Sequence, residues 1–297
     1  MPGTMSAPNR PMIGVTWRRD QAAESFVCTL KAIEAAGGVP VPLPMARAAF
    51  LTYGEDGRLA EGTDAHGALT PEAAAAVRSR DWRDSDAPAL LRGLPAVVFP
   101  GGEDISPALF TPPQPMEVDE GFSPERDVSD FLLMSGCLAL GLPVLAICRG
   151  IQVLGVVSGA EMIQDIPAHL RRLGRGYAFD HRNAPPPPGV HRDFAFHDVR
   201  VTAEDSLLGR IAGTDVIRDA PSWHHQAVGS VAGTALRVTA VHETSGVELI
   251  EAVERVDQDF ALGLQFHPEI AVVRGPDRLS LAWFTAIVEA ARARETH

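Results

Sequence analysis

Hydrophobic and polar positions along the chain switch repeatedly between a short continuous period and a helical one. PMIGVTW, from Pro11 to Trp17, is a brief β-rich run, and after a polar break AAESFVCTLKAIEAAGG places Phe26, Leu30, Ile33 and Ala36 or Gly37 at helical spacing. Gly37-Gly38 stops that helix. VPVPLP, Val39 to Pro44, predicts a second strand or its ragged edge, because its prolines bar it from a central ladder. LPAVVFPGGED predicts a buried strand ending at Pro100-Gly101-Gly102, and Ser123-Pro124 offers an N-cap and first-turn proline to a helix carrying Phe131, Leu132, Ser135, Leu138 and Ala139 up to Gly141. PVLAI is the next strand.

Between about Ala46 and Arg92 the periodicity fades, apart from an alanine-rich helical piece near Pro71 to Arg80. This segment, 46–92, reads as an insertion over the surface, either a mobile loop or a lid. After Pro167 come a basic stretch, LRRLGRG, a semi-rigid loop, APPPPG, and alternating strands at FHDVRV, ALRVTAV and VELIEAVE. The chain closes with ALGLQFHPE and a helix from roughly Asp277 to Arg294. Strand and helix in alternation predict an α/β fold with a central, mostly parallel sheet covered by helices on both faces. With no internal repeat and no second boundary, one domain is expected over residues 11–295, with 1–10 as a flexible tail.

Composition narrows the functional classes. The formal charge of −12, from 26 basic against 38 acidic residues in 297, argues against a nucleic-acid or anionic-membrane partner and leaves small-molecule substrates open. MPGTMSAPNRPM has no apolar core of a secretory signal, and no later run approaches a 20-residue uncharged apolar span, so a cytoplasmic location is expected. Three cysteines, Cys28, Cys137 and Cys148, are an odd count without metal-type spacing, so neither a disulfide framework nor a zinc site is expected.

Cys148 differs from the other two, which lie on the apolar sides of helices as structural thiols. It stands where strand turns to helix in Ala146-Ile147-Cys148-Arg149-Gly150, the outline of a nucleophile elbow. That corner delivers a side chain to the carboxyl end of a parallel strand, where open α/β sheets bind ligands, and a helix N-terminus favours thiolate. A nucleophile needs a base. QFHPE, at the end of another apolar strand, supplies His267 and Glu269, two apart and so on one side of an extended backbone, with Pro268 marking the strand's end. PGGED brings two glycines whose backbone can approach a ligand closely. The N–H groups of Gly102 and Arg149 are then the natural pair for an oxyanion, although a plain tight turn would use the same glycines.

AICRGIQ, QFHPE and PGGEDISP, together with PMIGVTW, SPERD, QDI, FHDVRV, SWHHQAV and VELIEAVE, resemble the class I glutamine amidotransferase-like superfamily. Within it they resemble the γ-glutamyl-γ-aminobutyrate hydrolase type of the peptidase C26 family, over nearly the whole chain. The resemblance implies a flavodoxin-like α/β domain and a Cys148, His267, Glu269 triad that forms a thioester with a γ-glutamyl group. It also implies oxyanion donors at Gly102 and Arg149, and no cofactor or metal. Gln152 matches a position that contacts the glutamyl part of the substrate, and His224, His225 and Gln226 match a loop lining that pocket, unless those histidines are structural. Relatives imply a possible homodimer and, by family default, γ-glutamyl-GABA from polyamine breakdown.

Three departures, Ser158-Gly159-Ala160-Glu161 after the elbow helix, Ala220-Pro221 before Ser222, and the length of the Ala46 to Arg92 insertion, lie beside the pocket and bear on substrate identity. Two other functions share the fold. A glutaminase subunit feeding ammonia to a separate synthase would use the same triad, and a catalytically silent scaffold would have lost the nucleophile or base.

Overall fold

The computed structural model describes residues 10–16, 21–185, 187 and 193–296. Trp17, residues 1–9 of the tail and half of the APPPPG loop lie outside the described residues. Nine strands form one sheet: β1 (Met12–Val15), β2 (Val39–Pro42), β3 (Ala96–Phe99), β4 (Val144–Ile147), β6 (Ala195–Val201), β7 (Val216–Ser222), β9 (Leu236–Thr244), β10 (Val247–Arg255) and β11 (Ala261–Leu264). Their order is β2-β1-β3-β4-β11-β10-β9-β6-β7, while β5 (Glu161–Ile163) and β8 (Ala227–Ser230) pair separately. The run from β2 to β11 is parallel, and β10, β9, β6 and β7 extend it antiparallel. The domain is therefore α/β, with proline-bearing β2 at the edge as its sequence requires.

Continuous apolar strands mean that both faces of the parallel part are covered. In β3 and β4, Val97, Phe99, Val144 and Ala146 join one core, which also takes Val128, Leu132 and Leu133 of α4 (Pro124–Ala139) and Ile151 and Leu154 of α5 (Arg149–Ser158). Ala96, Val98, Leu145 and Ile147 join the other core. There they meet Phe26 and Ile33 of α1 (Glu24–Ala35), Leu208 of the short α7 (Leu207–Ala212), and Trp283, Phe284 and Ile287 of α9 (Arg278–Glu295). A small separate cluster joins Leu170 of α6 (Ile166–Arg172) to Leu249 of β10. Truncating Leu145 to Ala would open a cavity at a cost of about 2–5 kcal/mol. Among the described residues no helix is long and apolar enough to cross a membrane.

Where the sequence suggests a loop laid over the surface, segment 46–92 forms α2 (Pro71–Ser79) and α3 (Ala87–Leu91) and sends Leu59, Leu69, Val77, Trp82 and Leu91 into the first core. Alanines and isolated large residues pack closely without a long period, which is why hydrophobic patterning alone understates their burial. A second difference is at Ser123. It precedes α4 as expected, but its hydroxyl makes no capping hydrogen bond and is buried without a partner.

Candidate active site

The elbow exists as its local sequence dictates. Cys148 N–H donates to the carbonyl of Leu264 at 2.7 Å, prolonging the β4–β11 ladder by one residue. The backbone then turns through φ 50°, ψ −104° at Cys148 and enters α5 at Arg149. A positive φ at a non-glycine residue is strained and is held by its surroundings. Close packing under the turn requires Gly150, because a β-carbon there would overlap the Phe99 carbonyl oxygen. The thiol is 4% exposed, and its Sγ faces the Trp223 carbonyl at 3.8 Å. Arg149 is the first residue of α5, so its N–H is one of those a helix leaves unused.

His267 and Glu269 meet, but not by the route their spacing suggests. Extended backbone ends at Leu264, and His267 is the N-cap of α8 (Pro268–Arg274), with Pro268 at the first helical position and Glu269 in the first turn. Pro268 thus starts a helix rather than ending a strand, and the tight helical turn brings His267 Nδ1 to 2.6 Å from Glu269 Oε1. Glu269 is fully buried. Burial disfavours a charged His267, but the neighbouring Cys148 and Glu269 outweigh it and raise the imidazole to about 10. Gly101 leaves the two rows in reach of each other, since a β-carbon on it would stand 2.8 Å from His267 Cε1 and 3.5 Å from Cys148 Cβ.

Cys28 and Cys137 are buried thiols as expected; burial is the main cause raising both, Cys28 to about 11.

The PGG turn is held from beneath by a buried ionic lattice that residue patterning does not disclose. Arg126, fully buried in the first turn of α4, donates to the carbonyls of Pro100 at 2.9 Å and Gly101 at 3.1 Å, and pairs with Glu103 and Asp130. The Arg149 guanidinium, far from being idle, donates to Asp127 Oδ1 at 2.6 Å and lies 3.3 Å from Asp130. Burial raises the Asp127 carboxyl, with Arg149 and Ser106 opposing it. Helix α4 therefore fixes both residues whose N–H groups are candidates for the oxyanion. Its signal in the sequence is SPERD, where charged residues sit at positions the helix buries.

Two chambers meet at Cys148. One of about 250 Å³ is lined by Ala23, Glu24, Ser25, Phe194, Trp223 and His267, with Gly102 at the junction. The other, about 200 Å³, is lined by Glu103, Asp104, Glu120 and Arg182 and by Gln152, His224, His225 and Gln226. The four residues of substrate-pocket expectation thus reach the wall, but their polar atoms are largely engaged within the protein. Gln152 Nε2 donates to the Gln226 carbonyl at 2.8 Å. The Gln226 amide exchanges hydrogen bonds with the Ile105 backbone, and the His224 Nε2 turns toward Glu251, 3.5 Å away. His225 bridges Asp104 at 2.8 Å and Asp165 at 3.0 Å; burial works against its charge, yet the two carboxylates raise it to about 9. Arg182 donates to Glu120 at 2.7 Å.

Asp104, Glu120, Arg182, Phe194 and Trp223 were not singled out by sequence, although Asp104 and Trp223 lie inside the motifs PGGED and SWHHQ.

A family model described as Peptidase C26 matches residues 74–269. A Mycobacterium tuberculosis protein provisionally named a glutamine amidotransferase is 37% identical over 202 residues, covering 68% of this chain and 57% of that protein, so the match spans little more than half the relative's length. The gamma-glutamyl-gamma-aminobutyrate hydrolase of Escherichia coli O157:H7 is 28% identical over 272 residues, 88% of this chain and 86% of that one. Among solved structures, the glutaminase domain of Trypanosoma brucei CTPS with bound acivicin superposes with a TM-score of 0.52 at 15% identity, over 95% of this chain and 94% of that one. A chain of PurLQS from Thermotoga maritima gives 0.51 at 12%, over 97% of this chain and 100% of that one. At those identities the structural likeness speaks for the fold alone. The family match covers well over half the chain, and this protein belongs to the peptidase C26 family.

Proposed function

We propose that the chain hydrolyses the γ-glutamyl amide bond of a γ-glutamyl amine, of which γ-glutamyl-GABA is one candidate, with Cys148 as nucleophile. The observation that carries this reading is the lining of the 200 Å³ chamber beside the thiol. It joins carboxylates, Glu103, Asp104 and Glu120, to cations, Arg182 and a His225 raised to about 9. An α-amino acid head carries an ammonium and a carboxylate together, and walls of both signs match it. The more apolar chamber between Phe194 and Trp223 then receives the leaving amine.

In this mechanism Cys148 Sγ bonds to the γ-carbonyl carbon while the carbonyl oxygen gathers charge beside the Gly102 and Arg149 N–H groups. His267 gives its proton to the amine nitrogen as the C–N bond breaks, and Glu269 holds the ring in register. A γ-glutamyl thioester and a neutral imidazole result. Water then loses a proton to His267 as its oxygen bonds to the acyl carbon, the C–S bond breaks, and glutamate leaves with the thiolate restored. Every proton is accounted for by His267 and water.

The test is turnover of glutamine, γ-glutamyl-GABA and a γ-glutamyl anilide by the purified chain alone. Faster release of amine from the substituted amides than of ammonia from glutamine is expected. Turnover of glutamine only, or activity only with an added synthase, would replace this reading with that of an ammonia-supplying glutaminase.

A further inference from the structure

We propose that His181, His224 and Glu251 form a binding site for one divalent transition-metal ion of the zinc type, beside which lies His197. The four come from separate parts of the chain: His181 from the segment before β6, His197 from β6, His224 from the turn after β7, and Glu251 from β10. All are buried, His181 and Glu251 completely. One ligand atom from each of His181, His224 and Glu251 lies within 4.8 Å of the others.

Distances and tautomers both fit an ion at the centre. His181 Nε2 and His224 Nε2 stand 3.3 and 3.5 Å from Glu251 Oε1, and His197 Nε2 stands 3.4 Å from Oε2. Ligands on a tetrahedral ion with bonds of about 2.0–2.1 Å are separated by about 3.3–3.4 Å. Among the described residues none of these Nε2 atoms and neither Glu251 oxygen makes a hydrogen bond.

The opposite ring nitrogens are all engaged. His197 Nδ1 faces the Asp180 carbonyl at 3.0 Å and His224 Nδ1 the Gln226 carbonyl at 2.9 Å, while His181 Nδ1 faces Asp180 Oδ1 at 2.8 Å. At His197 and His224 the partner is a carbonyl, which only accepts, so Nδ1 carries the hydrogen and a neutral ring keeps its lone pair on Nε2, whereas His181 lies between the carboxylates of Asp180 and Glu251 and offers a lone pair only on giving up its Nε2 proton. Two lone pairs, and a third once His181 is deprotonated, point at a buried carboxylate, and a dication among them satisfies these groups together. An outer oxygen on the far nitrogen of each imidazole is the usual support of a metal-bound histidine.

His242 also gathers with His181 and His197, but its Nδ1 faces the Asp198 carbonyl at 2.7 Å and its Nε2 faces Asp180 at 3.1 Å, so it is not a ligand. The ion braces the sheet against the Trp223–Gln226 turn, whose Trp223 carbonyl faces Cys148, and it touches no reacting atom. Sequence reading leads to an expectation of no zinc site and no metal, and this proposal departs from it, with histidines and a carboxylate rather than cysteines as ligands. The proposal does not depend on which substrate is used, although His224 also lines the chamber beside Cys148.

The experiment is metal analysis of the full chain purified from zinc-supplemented culture, followed by chelation and titration with Co²⁺. About one equivalent of zinc and the visible absorption of tetrahedral Co²⁺ are expected. Both should persist in Cys148→Ala, which removes the other soft ligand, and vanish in Glu251→Gln and His181→Gln. The proposal is overturned if the wild type neither retains zinc nor takes up Co²⁺, since a proton shared between His181 and Glu251 would then hold the cluster. It is equally overturned if the Co²⁺ spectrum disappears in Cys148→Ala or survives in folded Glu251→Gln. Should both ligand variants fail to fold, the wild-type and Cys148→Ala results decide alone.

Discussion

Arg126 fills the space that any side chain at position 102 would need. A β-carbon on Gly102 would overlap its Nη1, and that guanidinium is fixed by the Pro100 and Gly101 carbonyls. Gly102→Ala must therefore move the turn that presents the Gly102 N–H to the substrate. We expect kcat to fall about 10²–10³-fold, the loss typical of one oxyanion donor, together with a stability loss of about 1–3 kcal/mol from the buried overlap. Steady-state kinetics beside a denaturant melt checks this; unchanged kcat would remove Gly102 from the oxyanion site.

Arg149 contributes through its charge as well as its backbone. Its guanidinium lies between Asp127 and Asp130, all three buried. Removing one member of a buried ionic group strands the others, which typically costs about 3–5 kcal/mol. Urea unfolding of Arg149→Met should show a loss of that size, and a loss below about 1 kcal/mol would mean that the lattice is not a structural support.

Stability should fall on the alkaline side through His225. In the folded chain Asp104 and Asp165 raise it from 6.5 to about 9 against the opposing effects of burial and Arg182. A group raised on folding stabilises fully below its unfolded value and loses that contribution as pH rises through its folded value. The stabilisation is therefore complete below pH 6.5 and disappears by way of pH 9. Urea midpoints for wild type and His225→Gln should converge across that window; a constant separation from pH 6 to 10 would contradict the pairing.

The activity profile carries a second titration. His267, raised to about 10 by Cys148 and Glu269 against the effect of burial, keeps the proton that the leaving amine needs through neutral pH. The alkaline limb of kcat/KM should lie near pH 10, and Glu269→Gln should move it to lower pH because one source of the raised affinity is gone. An alkaline limb that does not move in Glu269→Gln would mean that the carboxylate does not tune the base.

Features confined to one turn of chain were legible in the sequence. Cys148, Arg149 and Gly150 compose a strand-to-helix corner within three residues, so their placement follows from local packing. His267 and Glu269 were legible as partners, while the helical turn that joins them was not, because Pro268 serves both as a strand stop and as a helix start. Strand alternation announced the α/β sheet, but nothing local says that β11, the last strand, inserts between β4 and β10 and so carries His267 to Cys148. The His181, His197, His224 and Glu251 cluster was invisible for the same reason: the antiparallel pairing of β6, β9 and β10 brings together residues with no common spacing. Arg126 lies within the SPERD motif at the start of α4, and only the packing of α4 under the PGG turn reveals what it holds.

The most direct test of the proposed chemistry is intact-protein and peptide mass spectrometry of the chain quenched during turnover of a γ-glutamyl anilide, with Cys148→Ala run in parallel. The account predicts one γ-glutamyl group on the peptide bearing Cys148, and in the variant no adduct with a rate lower by at least about 10³-fold. An adduct on another residue, or an Ala variant that keeps the wild-type rate, would contradict it.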